Sequence, residues 1–220
     1  MKVCEIFTSI EGEGKRSGAL TTFVRFAGCN LRCHYCDTSY SWYCEDGQEM
    51  SVDEEYQKIQ ECSTAKVTLT GGEPLLQPFN EMSTLIELLC TNGYEVNVET
   101  NGSVNIGFFR TNPHIKDSLL FTVDYKCPSS GCSDKMDLDN YKRVQPWDVV
   151  KFVVSDTTDL EEAWRITRLM TSECYIYVSP VFGRIDPKEI VSFMKEHNIT
   201  KWRLQLQLHK CIWDADQRGV

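Results

Sequence analysis

Three cysteines, Cys29, Cys33 and Cys36, lie within eight residues of the stretch "AGCNLRCHYCDTSY". A disulfide uses two thiols and a structural zinc site wants four ligands, so three thiols leave a metal centre one ligand short. Cysteine thiolates are the usual ligands of iron–sulfur clusters, and three of them on a cubane cluster leave one iron open. The alternatives are zinc, with His34 or Cys44 as fourth ligand, and a group of inert buried cysteines.

The composition describes an ordinary globular protein. The chain has 220 residues, of which 41% are hydrophobic and 25% charged, and we expect one domain spanning 1–220. The number of cysteines is odd, eleven, which argues against a disulfide scaffold. The formal net charge is −9, so nucleic acid is a disfavoured partner and a small-molecule substrate fits better.

The expected location is the cytoplasm. The first twenty residues contain scattered Lys, Glu and Arg, which is unlike a signal peptide. The apolar runs are far too short to span a membrane, so we expect no membrane association.

Short β-rich segments alternate with amphipathic ones along the chain. Ser51, with Glu54 three residues later, is typical of a capping box at the start of a helix. Residues 126–147 contain no comparably clear helix. The predicted strands cover 21–28, 66–70, 95–100, 119–125, 149–155, 174–180 and 202–208, and the predicted helices 51–62, 81–92, 160–170 and 186–197.

Alternating strands and helices predict a parallel sheet with right-handed crossovers. A complete eightfold barrel needs about 250 residues, so we predict an α/β fold, an incomplete (open) TIM-like barrel of about six βα units. In such folds the active site gathers at the carboxyl ends of the strands. The cysteine loop, "TGGEP", "ETNG", "DYKCPSSG", "SPVFG" and "QLQLHK" all fall at such ends.

The motif C-x₃-C-x₂-C after one strand, with Gly-Gly-Glu-Pro at the end of the next, resembles the radical S-adenosylmethionine (SAM) superfamily. The resemblance implies a radical SAM core with remodelled helices, in which Cys29, Cys33 and Cys36 hold one 4Fe–4S cluster. It also implies that SAM binds the open iron and that one electron cleaves it to methionine and a 5′-deoxyadenosyl radical.

The remaining motifs indicate which family within this superfamily the sequence resembles. "TSIEGEG", Arg25, "CDTSYSW", "ETNG" and the terminal "LQLQLHK" together resemble the family of 7-carboxy-7-deazaguanine synthases in queuosine biosynthesis. This implies a lyase that converts 6-carboxy-5,6,7,8-tetrahydropterin to 7-carboxy-7-deazaguanine with loss of ammonia, the radical taking hydrogen from C6. The family further implies Mg²⁺, a homodimer and a flavodoxin-type reductant.

The same resemblance assigns site residues. Arg25 would bind the substrate carboxylate, its alternative being a strand arginine in a salt bridge. Thr38 would bind Mg²⁺, which prefers hard oxygen ligands, its alternative being an ordinary loop hydroxyl. The SAM set is Tyr35, Cys36, Asp37, Gly72, Asp124, Tyr125, Lys126, Ser179, Pro180, Val181 and Phe182, and the substrate set is Ile10, Glu11, Gly12, Arg25, Thr70 and Val220, with His209 and Lys210 as further candidates.

Some positions depart from the family pattern. Many members carry Gln at the position of Glu11, and "DYKCPSSG" differs from the Ser-Pro-Lys of relatives. Cys127 and Cys132, close to that loop, are expected to be structural, and Trp42 is a candidate shield for the cluster. The rival hypotheses are a glycyl-radical-enzyme activase, which would lack "TSIEGEG" and Arg25, and a non-enzymatic metal-binding module.

Overall fold

The computed structural model describes residues 1–110, 115–214 and 217–220. Nine strands form one sheet within this part of the chain, in the order β3-β1-β2-β4-β5-β6-β7-β8-β9. In chain order they are β1 (Lys2–Ile10), β2 (Leu20–Phe26), β3 (Gln48–Glu49), β4 (Lys66–Gly71), β5 (Glu95–Thr100), β6 (Leu119–Tyr125), β7 (Val149–Val154), β8 (Tyr175–Pro180) and β9 (Trp202–Leu204).

The sheet is mostly parallel and open. Strands β2 and β4 to β9 run parallel, while β1 pairs antiparallel with β2 and β3 pairs antiparallel with β1. The helices are α1 (Val52–Glu61), α2 (Phe79–Thr91), α3 (Asn140–Arg143), α4 (Thr157–Leu169), α5 (Pro187–Glu196) and α6 (Leu208–Ile212). The prediction of an α/β fold with an open, largely parallel sheet is confirmed.

Most predicted elements are present with small shifts at their ends. The capping box of α1 forms as expected, with the Ser51 hydroxyl accepting from the amide of Glu54. The segment after β6 has only short 3₁₀ turns and the four-residue helix α3, in agreement with the absence of a clear helical pattern there. The prediction for 202–208 was partly wrong, because β9 ends at Leu204 and α6 begins at Leu208.

Side-chain alternation along the strands separates the core from the candidate site. Fully buried apolar residues such as Val24, Leu69, Val98, Val123 and Phe152 belong to the hydrophobic core. Their neighbours along each strand point to the other face, since successive side chains alternate. That inner face carries Arg25, Thr70, Glu99, Asp124 and Lys151, all of which line one cavity.

The loop that follows β1 makes hydrogen bonds to the segment that follows β9, the last strand of the open sheet. The amide of Gly14 donates to Oε1 of Gln205 at 2.7 Å, and the Gln205 amide nitrogen donates back to the Gly14 carbonyl at 3.1 Å. Leu208 donates its amide to the Gly12 carbonyl at 3.1 Å. These contacts connect the end of β1 to the segment after β9. Within the described residues, no helix is long and apolar enough to cross a membrane.

Candidate active site

The cysteine loop begins at the carboxyl end of β2 and is fixed to the end of β4. The amide of Gly72 donates to the Phe26 carbonyl at 2.9 Å, and the amide of Glu73 donates to the Gly28 carbonyl at 2.8 Å. Cys29 donates its amide to the Trp42 carbonyl at 3.0 Å, which closes the loop on itself. The backbone that carries the thiols is therefore held from both sides.

Two glycines make this close approach possible. A Cβ on Gly72 would lie 2.2 Å from the Gly28 carbonyl oxygen and 2.7 Å from that of Ser41. Gly71 has a φ of +126°, and a Cβ there would lie 2.3 Å from the Phe26 carbonyl oxygen. The doublet is thus required for packing the end of β4 against the cysteine loop, in addition to any contact with a cofactor.

Glu73, just after β4, is hydrogen-bonded to residues at the end of β5. Its carboxylate is fully buried and accepts hydrogen bonds from the Leu75 amide at 3.0 Å, the Thr100 hydroxyl at 2.8 Å and the Asn101 amide at 2.6 Å. Burial raises the pKa of Glu73 to about 7. Asn101, so positioned, points its side-chain amide at the sulfur of Cys29, 3.6 Å away.

The three thiols of the motif line the same cavity and receive polar contacts from the protein. The Leu31 amide donates to Cys29 Sγ at 3.4 Å, and the Trp42 indole donates to Cys36 Sγ at 3.2 Å. Burial raises the pKa of Cys33 to about 12 and raises that of Cys29 above its ordinary value. Buried thiols of this kind become thiolates on binding a metal centre, whose positive charge offsets the cost of burial.

The three thiols line one cavity. Their soft sulfur donors are those that iron–sulfur clusters use. Among the described residues, no group of three His, Cys, Asp or Glu side chains is close enough to hold a single metal ion.

The cavity has a volume of about 440 Å³ and lies at the carboxyl ends of the strands. It brings together most of the residues that the sequence assigned to the site. These are Ile10, Glu11, Gly12, Arg25, Cys29, Cys33, Tyr35, Cys36, Asp37, Thr38, Thr70, Gly72, Asp124, Lys126, Val181, Phe182, His209, Lys210 and Val220.

Three residues of the expected SAM set do not line the cavity. Tyr125 faces the helices, where its hydroxyl donates to Glu162 and its ring packs against Phe152, because it follows the inward-facing Asp124 on β6. Ser179 is buried and donates to Oε1 of Glu13 at 3.3 Å. Pro180, at the end of β8, is likewise absent from the cavity wall.

A network of carboxylates and lysines forms part of the cavity wall. Lys126 Nζ lies 2.5 Å from Asp124, and Lys151 Nζ lies 3.3 Å from Asp124 and 3.2 Å from Glu13. Burial alone would raise the pKa of Asp124, but the two lysines hold it below its ordinary value. Burial likewise raises the pKa of Glu99, which accepts a hydrogen bond from Thr70 at 3.2 Å.

Glu11 is held inside the protein rather than left free in the cavity. Its Oε2 accepts hydrogen bonds from Arg16 at 3.2 Å and from the Thr68 hydroxyl at 2.6 Å. Burial, followed by the charge of Glu99, raises its pKa to about 7 despite the nearby guanidinium. This site can therefore change its protonation near neutral pH.

Arg25 lines the cavity and also forms the salt bridge with Glu5 that was the alternative interpretation of its position. Its Nε donates to Oε1 of Glu5 at 2.7 Å, and Tyr40 donates to the same oxygen at 2.8 Å. The Nε contact leaves the outer guanidinium nitrogens without another hydrogen bond among the described residues. Those two nitrogens can bind an anion bidentately.

The C-terminal segment folds over the cavity. Lys210 Nζ donates to Asp37 at 3.0 Å, and although burial alone would raise the pKa of Asp37, this lysine holds it below its ordinary value. Arg218 lies 3.8 Å from the centre of the Tyr40 ring. A Cβ on Gly12 would come within 2.2 Å of His209 Nδ1, so only glycine fits beneath that imidazole.

Thr38 lies two residues beyond the last cysteine of the motif. Its carbonyl accepts from the amide of Ser41 at 2.9 Å, and its hydroxyl lies 3.7 Å from Cys36 Sγ. The residue lines the cavity beside the thiols. Its hydroxyl is a hard oxygen donor of the kind that suits Mg²⁺.

Several residues that line the cavity were not among the site residues assigned from the sequence. Lys151 interrupts an otherwise apolar strand at a position that alternation assigns to the inner face, so a charged residue in a buried strand was the available signal. Glu99 stands in the quoted "ETNG" at the end of β5. Glu13 stands in the quoted "EGEG" turn. Asn101 also stands in the quoted "ETNG", whereas Arg218 carried no such signal, because its placement depends on the fold of the C-terminal segment.

Comparison with known proteins identifies the family. Residues 23–115 match the model of the radical SAM superfamily. The chain is 44% identical to the 7-carboxy-7-deazaguanine synthase of Clostridium acetobutylicum, over 100% of this chain and 99% of the relative. It is 38% identical to that of Leptospira interrogans, over 99% and 97%. The chain belongs to the 7-carboxy-7-deazaguanine synthase family.

Solved structures agree on the fold. QueE from Escherichia coli superposes with a TM-score of 0.74 at 22% identity, covering 94% of this chain and 93% of that one. SuiB from Streptococcus suis bound to S-adenosylmethionine gives a TM-score of 0.55 at 10% identity, covering 81% and 48%.

Membership in the 7-carboxy-7-deazaguanine synthase family makes this chain a radical SAM enzyme of queuosine biosynthesis, a carbon–nitrogen lyase. It implies a 4Fe–4S cluster and SAM, and the three thiols described above line one cavity and have the donor chemistry for the cluster. The expectation of a radical SAM enzyme is confirmed, and the activase and the non-enzymatic metal module are both set aside.

Proposed function

We propose that this enzyme converts 6-carboxy-5,6,7,8-tetrahydropterin to 7-carboxy-7-deazaguanine with loss of ammonia. The observation that carries the proposal is the single cavity in which the three thiols, the 10–12 turn, Arg25 and Thr70 meet. When bound, the cluster would supply the electron that cleaves SAM, and SAM would supply the 5′-deoxyadenosyl radical for removal of hydrogen from C6 of the pterin. The protein residues hold cofactor and substrate in reach of each other.

The substrate carboxylate is assigned to Arg25. Its Nε donates to Glu5 at 2.7 Å, and Arg25 lines the cavity, so its two outer nitrogens are assigned to the substrate. Phe7 and Tyr40 lie beside the guanidinium, each with its ring centre 5.9 Å from the central carbon. These neighbours reduce access of water, which strengthens a charge-assisted hydrogen bond.

The pterin ring is assigned to the turn at Ile10, Glu11 and Gly12, with Thr70 opposite. A pterin presents N–H donors on its amino-pyrimidinone edge, and an ionised Glu11 accepts hydrogen bonds without donating any. Arg16 and Thr68 hold that carboxylate in place from behind. Val220, which lines the cavity, completes the proposed substrate set.

SAM is assigned to Tyr35, Cys36, Asp37, Gly72, Asp124, Lys126, Val181 and Phe182, which line the part of the cavity near the thiols. Asp124 is kept ionised by Lys126 and Lys151, so it can accept hydrogen bonds from a ribose or an ammonium group. Tyr125, Ser179 and Pro180 are assigned to the support of this region rather than to contact, Ser179 acting through Glu13.

The proposal also includes a magnesium ion, an oligomeric state, a reductant and a cellular location. Mg²⁺ is assigned to the Thr38 hydroxyl, with substrate and water as its other ligands, as is common for this ion. We also propose one domain, a homodimer, a flavodoxin-type reductant and a cytoplasmic setting. The odd number of cysteines, eleven, argues against a disulfide scaffold and is consistent with a reducing compartment.

The test is anaerobic incubation of reconstituted enzyme with the carboxypterin, SAM, Mg²⁺ and a chemical reductant, with the deazapurine detected by mass. We expect product from wild type and from Cys62→Ala, and none from Cys33→Ala. Cys62 is a matched control because it caps α1, away from the cavity. Cleavage of SAM with the pterin left intact would refute the substrate assignment while leaving the radical SAM assignment in place.

A further inference from the structure

The indole of Trp42 has a contact that the proposed reaction does not use. Its Nε1 donates a hydrogen bond to the sulfur of Cys36, 3.2 Å away. The side chain is half-buried and lines the cavity beside the thiols. Its backbone carbonyl accepts from the amide of Cys29 at 3.0 Å, so the residue contacts two of the three expected cluster ligands.

Arg32 packs against this indole and against the ring of Tyr43. The central carbon of its guanidinium lies 5.1 Å from the centre of the Trp42 ring. The same guanidinium donates to the carbonyls of Cys29 and Leu31, both at 2.7 Å. An arginine anchored to the loop backbone therefore packs against the indole whose N–H donates to the sulfur.

The contact is the shortest N–H to sulfur hydrogen bond to the three thiols within the part of the chain that the structure describes. The Leu31 amide lies 3.4 Å from Cys29 Sγ, and the Asn101 amide nitrogen lies 3.6 Å from the same atom. Hydrogen bonds to the sulfurs of an iron–sulfur cluster are among the factors that set its reduction potential. A donor stabilises the more negative, reduced state more strongly and so raises the potential.

We propose that Trp42 tunes the reduction potential of the 4Fe–4S cluster through its hydrogen bond to Cys36. Trp42 acts as a positioning residue: it touches a cluster ligand and makes the cluster easier to reduce by the donor that starts SAM cleavage. The inference rests on the proposed function only in requiring that the three cysteines hold the cluster, and it does not depend on the pterin.

The experiment compares wild type, Trp42→Phe and Trp147→Phe, each reconstituted anaerobically and titrated with a reductant under electron paramagnetic resonance, without SAM or substrate. Phenylalanine keeps an aromatic ring at position 42 but removes the N–H. Trp147 is the matched control, because its Nε1 is buried and unpaired within the described residues and it precedes β7 at the end of the sheet opposite the cavity.

We expect the ratio of reduced to oxidised cluster at a fixed potential to fall about tenfold in Trp42→Phe, which for one electron is a shift of about 59 mV to more negative potential. Trp147→Phe should match wild type. An unchanged potential in Trp42→Phe, with full iron content, overturns the proposal, and so does an equal shift in Trp147→Phe. Turnover of the pterin by wild type is a separate measurement, so the two proposals fail independently.

A second measurement covers the case in which Trp42→Phe does not retain its cluster. Wild-type protein labelled with ¹⁵N in its indole rings is reduced and examined for hyperfine coupling between the cluster spin and the label. Trp42 is the tryptophan that lines the cavity among the described residues, so we expect one coupled indole nitrogen. Absence of that coupling overturns the proposal without any variant.

Discussion

Arg16 and Glu11 form an ion pair beneath the cavity, with 3.2 Å between Nη2 and Oε2 and with side chains that are 7% and 3% exposed. Thr68 donates to the same carboxylate oxygen at 2.6 Å. Arg16 also donates to the carbonyls of Val67 and Glu95, at 3.2 and 2.8 Å. The pair therefore connects the turn after β1 to the starts of β4 and β5. It also holds Glu11, the proposed pterin contact at which many family members carry Gln.

Arg16→Met should destabilise the protein strongly, because it leaves the Glu11 carboxylate buried without a counter-charge. Removing one partner of a buried pair costs about 3–5 kcal/mol. Adding Glu11→Gln in the same chain should recover much of that loss, since a neutral amide needs no counter-charge. The measurement is the free energy of unfolding in urea for wild type, both single variants and the double variant, all at pH 8.

The result that contradicts this account is additivity. If the double variant is as unstable as the sum of the two single variants, the two side chains do not interact. Lys188→Met provides a surface control, because that side chain is 90% exposed and its ion pair with Asp186, at 4.0 Å, contributes little.

The stability difference between wild type and Glu11→Gln should depend on pH. Glu11 has an ordinary pKa of 4.5, raised in the folded protein to about 7 by burial and by Glu99. The folded state thus binds the proton more tightly, so stability from this group is present below pH 4.5 and is lost as pH rises through about 7. Wild type should lose stability relative to Glu11→Gln between these values, and no further above them.

Thermal unfolding of the two proteins in parallel from pH 5 to 8 checks this window. Glu55 and Glu73 also have pKa values raised by burial, but they are present in both proteins and cancel in the difference. A difference in melting temperature that stays constant across the range would show that Glu11 is already ionised at pH 5.

The sequence predicted the parallel strands well because each carries β-branched and apolar residues on its helix-facing side. It missed β1, the long antiparallel strand, and it extended β9 by four residues. Just beyond the end of β9 the Gln205 backbone amide still donates to the Val178 carbonyl of β8 at 3.0 Å, while its side chain pairs with the backbone of Gly14, on the loop after β1. That side-chain contact joins residues 191 positions apart, which no local pattern records.

The site was predictable where motifs lie at strand ends and not where distant segments meet. The three cysteines and Thr70 could be placed from the order of strand ends alone, whereas Arg25 was assigned through the family resemblance. The register that sets Asp124 beside Lys151, and the return of Arg218 to Tyr40, required the folded chain. Tyr125 was assigned to SAM by the resemblance, although its alternation with Asp124 along β6 was already present in the sequence.

Gly72→Ala should reduce cluster binding. The new Cβ would lie 2.2 Å from the Gly28 carbonyl oxygen and 2.6 Å from its carbonyl carbon, so the cysteine loop must move away from β4. We expect the iron content after anaerobic reconstitution to fall to less than half of wild type. The control is Gly93→Ala, which also adds a methyl group but has no atom within 4 Å of it.

Gly93 has a φ of +86°, so alanine there is strained by about 1 kcal/mol but leaves the site untouched. Equal iron in both variants and wild type would mean that the loop tolerates the clash, and the packing role assigned to Gly72 would be wrong.

Thr38→Ala tests the magnesium assignment separately from the cluster. The substitution removes the hydroxyl near the thiols but keeps the backbone carbonyl that accepts from Ser41 at 2.9 Å, so the loop should keep its shape and its iron. We expect the Mg²⁺ concentration for half-maximal turnover to rise at least tenfold, a loss of about 1.4 kcal/mol of binding free energy. Thr84→Ala, on α2, removes a hydroxyl that bonds only the Asn80 carbonyl and should match wild type. If Thr38→Ala keeps full iron and the wild-type response to Mg²⁺, the ion binds elsewhere or through substrate alone.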